Sequence, residues 1–199
     1  MVINDRWGKE TRSRHGGYYT LEYGKVENGK QLAAGHKWEE NQGIGSSFGY
    51  NRNEDLADYK TADQLIGLLV ETVAKGGNLL LDVGPTADGR IPVIQQQRLM
   101  EIGEWLQVNG EAIYGSHPWR QSADGEKIRY TARDGAVYAI VLGEPGIDLV
   151  LNAVNRQAKV QLLGYNGSVG SLVQDGKLHL AVPRVDLRHA WVYKLTGVE

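Results

Sequence analysis

Apolar residues recur with two different periods along this chain, and the change between them falls near residue 119. The stretch Gly76 to Gly89 organises the first part. Its core, Leu79-Leu80-Leu81-Asp82-Val83, is an apolar run too short for a helix and bounded by Gly and Pro, which predicts a strand buried on both faces. A helix is expected on each side of it. Before it, Thr61 is placed to cap, Gln64 completes a capping box, Leu65, Ile66, Leu69 and Val73 keep helical spacing, and Gly76 sits where a C-terminal cap belongs. After it, Pro92 suits a first helical turn, Ile94, Leu99, Ile102 and Leu106 keep the 3.6 period, and Gly110 closes the run. Helix, buried strand and helix make an α/β layer with parallel pairing. Ligands meet such layers at the carboxyl ends of the strands, so the loop Gly84 to Gly89 is expected to border a site.

The remaining segments fill in the architecture. Residues 1 to 60 are rich in Gly, Tyr, Trp, Asn and charge; only Met1-Val2-Ile3 and the vicinity of Trp38 suggest short strands, and the rest reads as site-forming loop. Ala112-Ile113-Tyr114 reads as a further short strand. From Lys127 onward the period is two: Ile128-Tyr130, Val137-Ala139-Val141, Val160-Leu162, Leu178-Leu180-Val182 and Trp191-Tyr193-Leu195 place apolar side chains on alternate positions, with Gly, Asp and Asn at the turns. That pattern predicts an antiparallel β-sandwich. The expected division is an α/β region over 1–118 and an all-β domain over 119–199. An α/β region of about four strands leaves sheet edges unpaired, which predicts completion by association, with a homo-oligomer as the simplest form.

Composition narrows the functional classes. With 41% hydrophobic and 23% charged residues the chain is an ordinary globular sequence, long enough for a sizeable core. A formal charge of -2, from 22 Lys and Arg against 24 Asp and Glu, gives no reason to expect nucleic acid or an anionic membrane as partner. The absence of cysteine excludes thiol nucleophiles and zinc-thiolate sites. The start MVINDRWGKE has neither a basic lead nor an apolar core for export, which sets a cytoplasmic location as the expectation. The five histidines lack metal-ligand spacing, and no metal or cofactor is expected. Gly43-Ile44-Gly45 with Gly49 lacks the spacing of a dinucleotide site, and Asn166-Gly167-Ser168 reads as a turn.

Seven segments taken together carry a resemblance. They are Asn4-Asp5-Arg6-Trp7-Gly8, His15-Gly16-Gly17-Tyr18-Tyr19, His36-Lys37-Trp38-Glu39, Ser47-Phe48-Gly49-Tyr50-Asn51, Gly76-Gly77-Asn78-Leu79-Leu80-Leu81, Gly84-Pro85-Thr86 and Asn109-Gly110-Glu111-Ala112-Ile113-Tyr114. In this order and spacing the chain resembles the α-L-fucosidases of glycoside hydrolase family 29, over essentially its whole length. The resemblance implies a (β/α)8-type barrel, present here as its second half, followed by a C-terminal β-sandwich. It also implies that the barrel half carrying the hydroxyl-gripping histidines and the nucleophilic aspartate does not align with this chain, so the nucleophile is unknown. Asp82 stands where many members carry Asn.

Retaining glycoside hydrolysis uses one carboxylate to attack the anomeric carbon and one carboxylic acid to protonate the leaving oxygen, about 5 to 5.5 Å apart. By resemblance there are two candidates for the acid. Glu22, in Thr20-Leu21-Glu22-Tyr23, matches the segment that carries the acid/base in many bacterial members, and is preferred. Glu39, read as lying at the end of a strand, matches a position considered for that role in animal members. The plain alternative for either is a solvated carboxylate or the partner of a nearby Lys or Arg. Arg6 matches an arginine that reaches the sugar and the carboxylates; its alternative is an ion pair with Asp5, which is structural in the family. Phe48 matches an aromatic that packs against the C5 methyl of fucose, and Trp7 and Trp38 are candidates for stacking on sugar faces; for all three the alternative is packing. The implied function is hydrolysis or transfer of terminal α-L-fucosyl residues with retention, the site being completed by oligomerisation. The rival is an inactive remnant serving as a carbohydrate-binding or assembly module.

Overall fold

A computed structural model describes residues 3–8, 10–12, 14–24 and 36–198. The chain divides into two compact units, Met1–Ile102 and Gly103–Glu199. No helix among the described residues is long and apolar enough to cross a membrane.

The first unit is built on a parallel sheet of order β1-β2-β3, formed by β1 (Tyr19–Glu22), β2 (Trp38–Gly43) and β3 (Gly77–Asp82). Met1 and Val2 of the expected first strand lie outside the described residues. Beside them Gly17 N donates to Ile3 O at 2.6 Å and Asn4 bridges Tyr18 in parallel, so this segment flanks β1. Helix α1 (Ala62–Ala74) follows its sequence signals. Thr61 Oγ1 accepts from Gln64 N at 3.2 Å while Gln64 Oε1 accepts from Thr61 N at 2.9 Å, closing the capping box. Its buried stripe is Leu65, Ile66, Val70 and Ala74. Leu65 packs with Ile44 and Tyr59, and Leu81, Val83, Ile94 and Ile102 close around them. The last two come from α2 (Val93–Asn109), which begins one residue after Pro92.

β3 departs from the reading of a strand buried on both faces. Leu79 and Leu81 face the helical side, but Asn78 and Leu80 are exposed, Leu80 at 51%. The reason is that α1 covers one face of the sheet and, among the described residues, no helix or strand of this unit covers the other. On the covered face Trp38 is 1% accessible. A Cβ on Gly77, its register partner across β2 and β3, would come within 2.5 Å of the indole, so only glycine leaves room for that ring.

The second unit consists of two antiparallel sheets on one core. The larger, of order β4-β5-β6-β11-β8, contains β4 (His117–Asp124), β5 (Ile128–Arg133), β6 (Ala136–Leu142), β8 (Lys159–Leu162) and β11 (Ala190–Thr196). The smaller is β7-β10-β9, from β7 (Asp148–Leu151), β9 (Ser171–Gln174) and β10 (Lys177–Ala181). Tyr130, Val137 and Tyr193 of one meet Leu151, Leu178 and Leu180 of the other. Two-residue turns join β5 to β6 and β9 to β10. In both an Asp-Gly pair, Asp134-Gly135 and Asp175-Gly176, takes positive φ at both positions, as a type I′ hairpin demands. Ala112-Ile113-Tyr114 is not a strand. Gly110–Ala112 forms a 3-10 turn, because Ile113 N and Tyr114 N both donate to Gly110 O, at 3.0 and 2.8 Å.

Candidate active site

The uncovered face of the parallel sheet holds the site. Side chains alternate along a strand, so Thr20 and Glu22 of β1, Glu39 and Asn41 of β2 and Leu80 and Asp82 of β3 share one face. The pairings Thr20↔Glu39, Glu22↔Asn41 and Asn41↔Leu80 line them up. They line a cavity of about 320 Å³, with Arg6 and Phe48 contributed by the loops after Asn4 and after β2. Glu22 is the last residue of β1, at the carboxyl edge. Glu39 is the second residue of β2, not its end as the sequence reading had it, and so lies on the amino-terminal side of Glu22.

Arg6 ties this face together. Its guanidinium forms an ion pair with Glu22 through Nη1 and Oε1, while Nε donates to Thr20 Oγ1 at 2.6 Å. Arg6 is thus paired with Glu22, the candidate acid. The Asp5 carboxylate, 0% accessible, accepts from Thr20 N at 3.0 Å and from Thr20 Oγ1 at 2.8 Å.

Behind the acid the chain turns sharply at Tyr23, with φ of 44°. Its hydroxyl accepts from Gly43 N at 3.1 Å, and its ring meets Phe48 edge to face with centroids 4.8 Å apart. Lys60 Nζ lies 5.4 Å from the same ring and donates to Gly43 O and Gly45 O at 3.0 and 3.1 Å. Burial lowers the Lys60 pKa, opposed by Glu54. Burial raises that of Tyr23, opposed by the Gly43 N–H and reinforced by the charges of Glu54, Asp82 and Glu22. These contacts hold Phe48 at the rim of the cavity.

Two expected sugar platforms fall elsewhere. Trp38 cannot stack on a ligand, because it points to the covered face, where its ring abuts Gly77. Trp7 is 64% exposed and does not line the cavity of Glu22. It borders an adjoining space of about 500 Å³ together with Arg6, Gly8 and Arg12. The loop Gly84 to Gly89 does not line the cavity of Glu22 either; β3 itself supplies Leu80 and Asp82. Sequence reasoning passed over Thr20 and Asn41, although their two-residue spacing from Glu22 and Glu39 was the available signal. Among the described residues, no group of three or more His, Cys, Asp or Glu could hold a metal ion.

Comparison with known proteins gives this arrangement a family. The family model for alpha-L-fucosidase matches residues 1–111, more than half of the chain, and that for the alpha-L-fucosidase C-terminal domain matches 122–196. The chain belongs to the alpha-L-fucosidase family. It is 40% identical over 210 residues to a tissue alpha-L-fucosidase of Bos taurus and 47% identical over 214 residues to a plasma alpha-L-fucosidase of Rattus norvegicus. Each alignment takes in 100% of this chain but only 44% and 46% of those relatives, so the chain spans less than half their length. Among solved structures, the Thermotoga maritima alpha-fucosidase in complex with a mechanism based inhibitor superposes with a TM-score of 0.83 at 36% identity, covering 100% of this chain and 45% of that one. The same fucosidase in complex with fucose gives 0.82 at 35%, covering 98% and 45%. Alpha-L-fucosidases are glycoside hydrolases, and the fold found here, α/β followed by antiparallel sheets, matches theirs.

Proposed function

We propose that this fucosidase-family chain hydrolyses or transfers terminal α-L-fucosyl residues with retention, Glu22 serving as general acid and then base. The observation that carries the reading is the convergence of Glu22, Arg6 and Phe48 on one cavity at the open face of a parallel sheet. A relative solved in complex with fucose aligns with 98% of this chain. Glu22 protonates the leaving oxygen, Arg6 orients the carboxylates and Phe48 offers an apolar wall to the C5 methyl of the sugar. Trp7, exposed in the adjoining space, offers a face for stacking on a sugar.

The sheet is read as part of a (β/α)8-type barrel, and the attacking carboxylate as a contribution from outside it. The far edge of β3 has no strand partner among the described residues, and Leu80 stands exposed beside it. A second copy docking there buries both and supplies the missing group. The test is release of nitrophenol from an aryl α-L-fucoside. Wild type should turn over, and Glu22→Ala should lose about 100-fold or more. Wild-type turnover in Glu22→Ala removes the assignment.

A second reading keeps the same cavity for binding alone. In it the chain binds fucosylated glycans or assembles with other chains without turnover. It requires fucose to perturb residues of the cavity while no nitrophenol appears at any protein concentration.

A further inference from the structure

Asp5 is fully buried, carries a charge-bearing group, and is not used by the mechanism above. We propose that Asp5 is a positioning residue that, through the Thr20 hydroxyl, holds the Arg6 guanidinium against Glu22. The inference rests on the reading of Glu22 as the acid only for its kinetic consequence. The geometric claim stands by itself.

The direction of the hydrogen bonds follows from the chemistry at the two ends. Asp5 Oδ1 accepts and a guanidinium only donates. The Thr20 hydroxyl has one proton, and it lies 2.8 Å from Asp5 Oδ1 and 2.6 Å from Arg6 Nε. It must therefore give its proton to Asp5 and turn a lone pair to Arg6. With Asp5 removed, the hydroxyl is free to rotate and Nε loses an acceptor of fixed orientation. Thr20 N, which also donates to Asp5 Oδ1 at 3.0 Å, locks the strand to the same carboxylate. Asn4 Oδ1 accepts from Arg6 N at 3.1 Å, so the backbone of Arg6 is fixed as well. With Nε and Nη1 both committed, the guanidinium plane has one orientation relative to Glu22. Holding a catalytic group in a single geometry is the function of such supporting contacts.

The measurement is the Arg6 Nε–H resonance in the ¹⁵N-labelled chain, assigned by its loss in Arg6→Lys, followed by exchange with water. Wild type should show a protected Nε–H. Thr20→Val replaces hydroxyl by methyl at nearly equal volume and should lose the protection, while Thr20→Ser should restore it. Asp5→Ala should behave as Thr20→Val; should circular dichroism show it unfolded, Thr20→Val decides. Where wild type turns over the aryl fucoside, kcat/KM of Thr20→Val should fall about 10- to 100-fold and recover in Thr20→Ser. Retained protection in Thr20→Val, or lost protection with unchanged turnover, overturns the proposal. A silent wild type ends the hydrolase reading instead and leaves the relay to the resonance alone.

Discussion

Glu39 and Glu40 are neighbours in sequence with opposite fates. Glu39 opens onto the cavity, whereas Glu40 lies on the covered face, 0% accessible, where Gln42 Nε2 donates to its Oε1 at 2.9 Å. Burial raises the Glu40 pKa above its ordinary 4.5, partly offset by the Gln42 amide and the Gly24 backbone N–H. The native chain therefore binds this proton more tightly than the unfolded one. The contribution to stability is full below pH 4.5 and is lost as pH rises through the folded value. Glu40→Gln, which cannot ionise, should raise the melting temperature at pH 8 and leave it nearly unchanged at pH 4. An equal shift at both values contradicts the buried-charge account. The strand around Trp38 was legible from sequence, but which glutamate faced the cavity was not. That choice depends on whether Trp38 packs inward, and Gly77, which makes the room for it, lies 39 positions away.

At the scale of elements, legibility followed local chemistry. The capping box at Thr61 and Gln64 and the Asp-Gly turns of the sandwich are decided within a few residues, and they formed where expected. Strands β1, β4, β7 and β9 were not foreseen, β1 (Tyr19–Glu22) falling in the stretch that reads as site-forming loop. β4 carries Pro118 and mostly polar residues, with a register shift between Pro118 and Ala123, and β9 is an edge with Leu172 exposed. What fixes β4 is tertiary. The Asp124 carboxylate accepts from Asn152 N at 2.6 Å, Ala153 N at 3.1 Å, Asn152 Nδ2 at 2.9 Å and Tyr130 Oη at 3.1 Å. It joins the end of β4 to the turn after β7. Asp124→Ala leaves several donors without an acceptor in a largely buried place and should destabilise the second unit by about 2 to 4 kcal/mol, read as a lower midpoint in urea. A change below about 0.5 kcal/mol would show that water replaces the carboxylate freely.

For the whole molecule, the order of an α/β region followed by antiparallel sheets was written in the change of period, because a strand or helix covered on one side declares itself through its apolar stripe. The uncovered side declares nothing. Leu80 reads as a core residue in an apolar run, yet it stands 51% exposed on a face otherwise lined by Thr, Glu, Asn and Asp. If a second copy covers that face, the interface is bounded by a six-residue strand edge and one polar sheet surface. Such an area is nearer the lower end of specific interfaces, about 1,200 Å² in total, than the obligate range. Association of that kind is governed by concentration. Specific activity should then rise with protein concentration and level off where light scattering reports the assembled form. Leu80→Lys, which places a charge in the face to be buried, should keep the circular dichroism spectrum, remain monomeric at those concentrations and lose turnover. Constant specific activity down to the lowest concentration, with a monomer throughout, would instead mean that a single copy holds every group the reaction uses. The second carboxylate would then have to be sought among Glu39 and Asp82 of the same cavity.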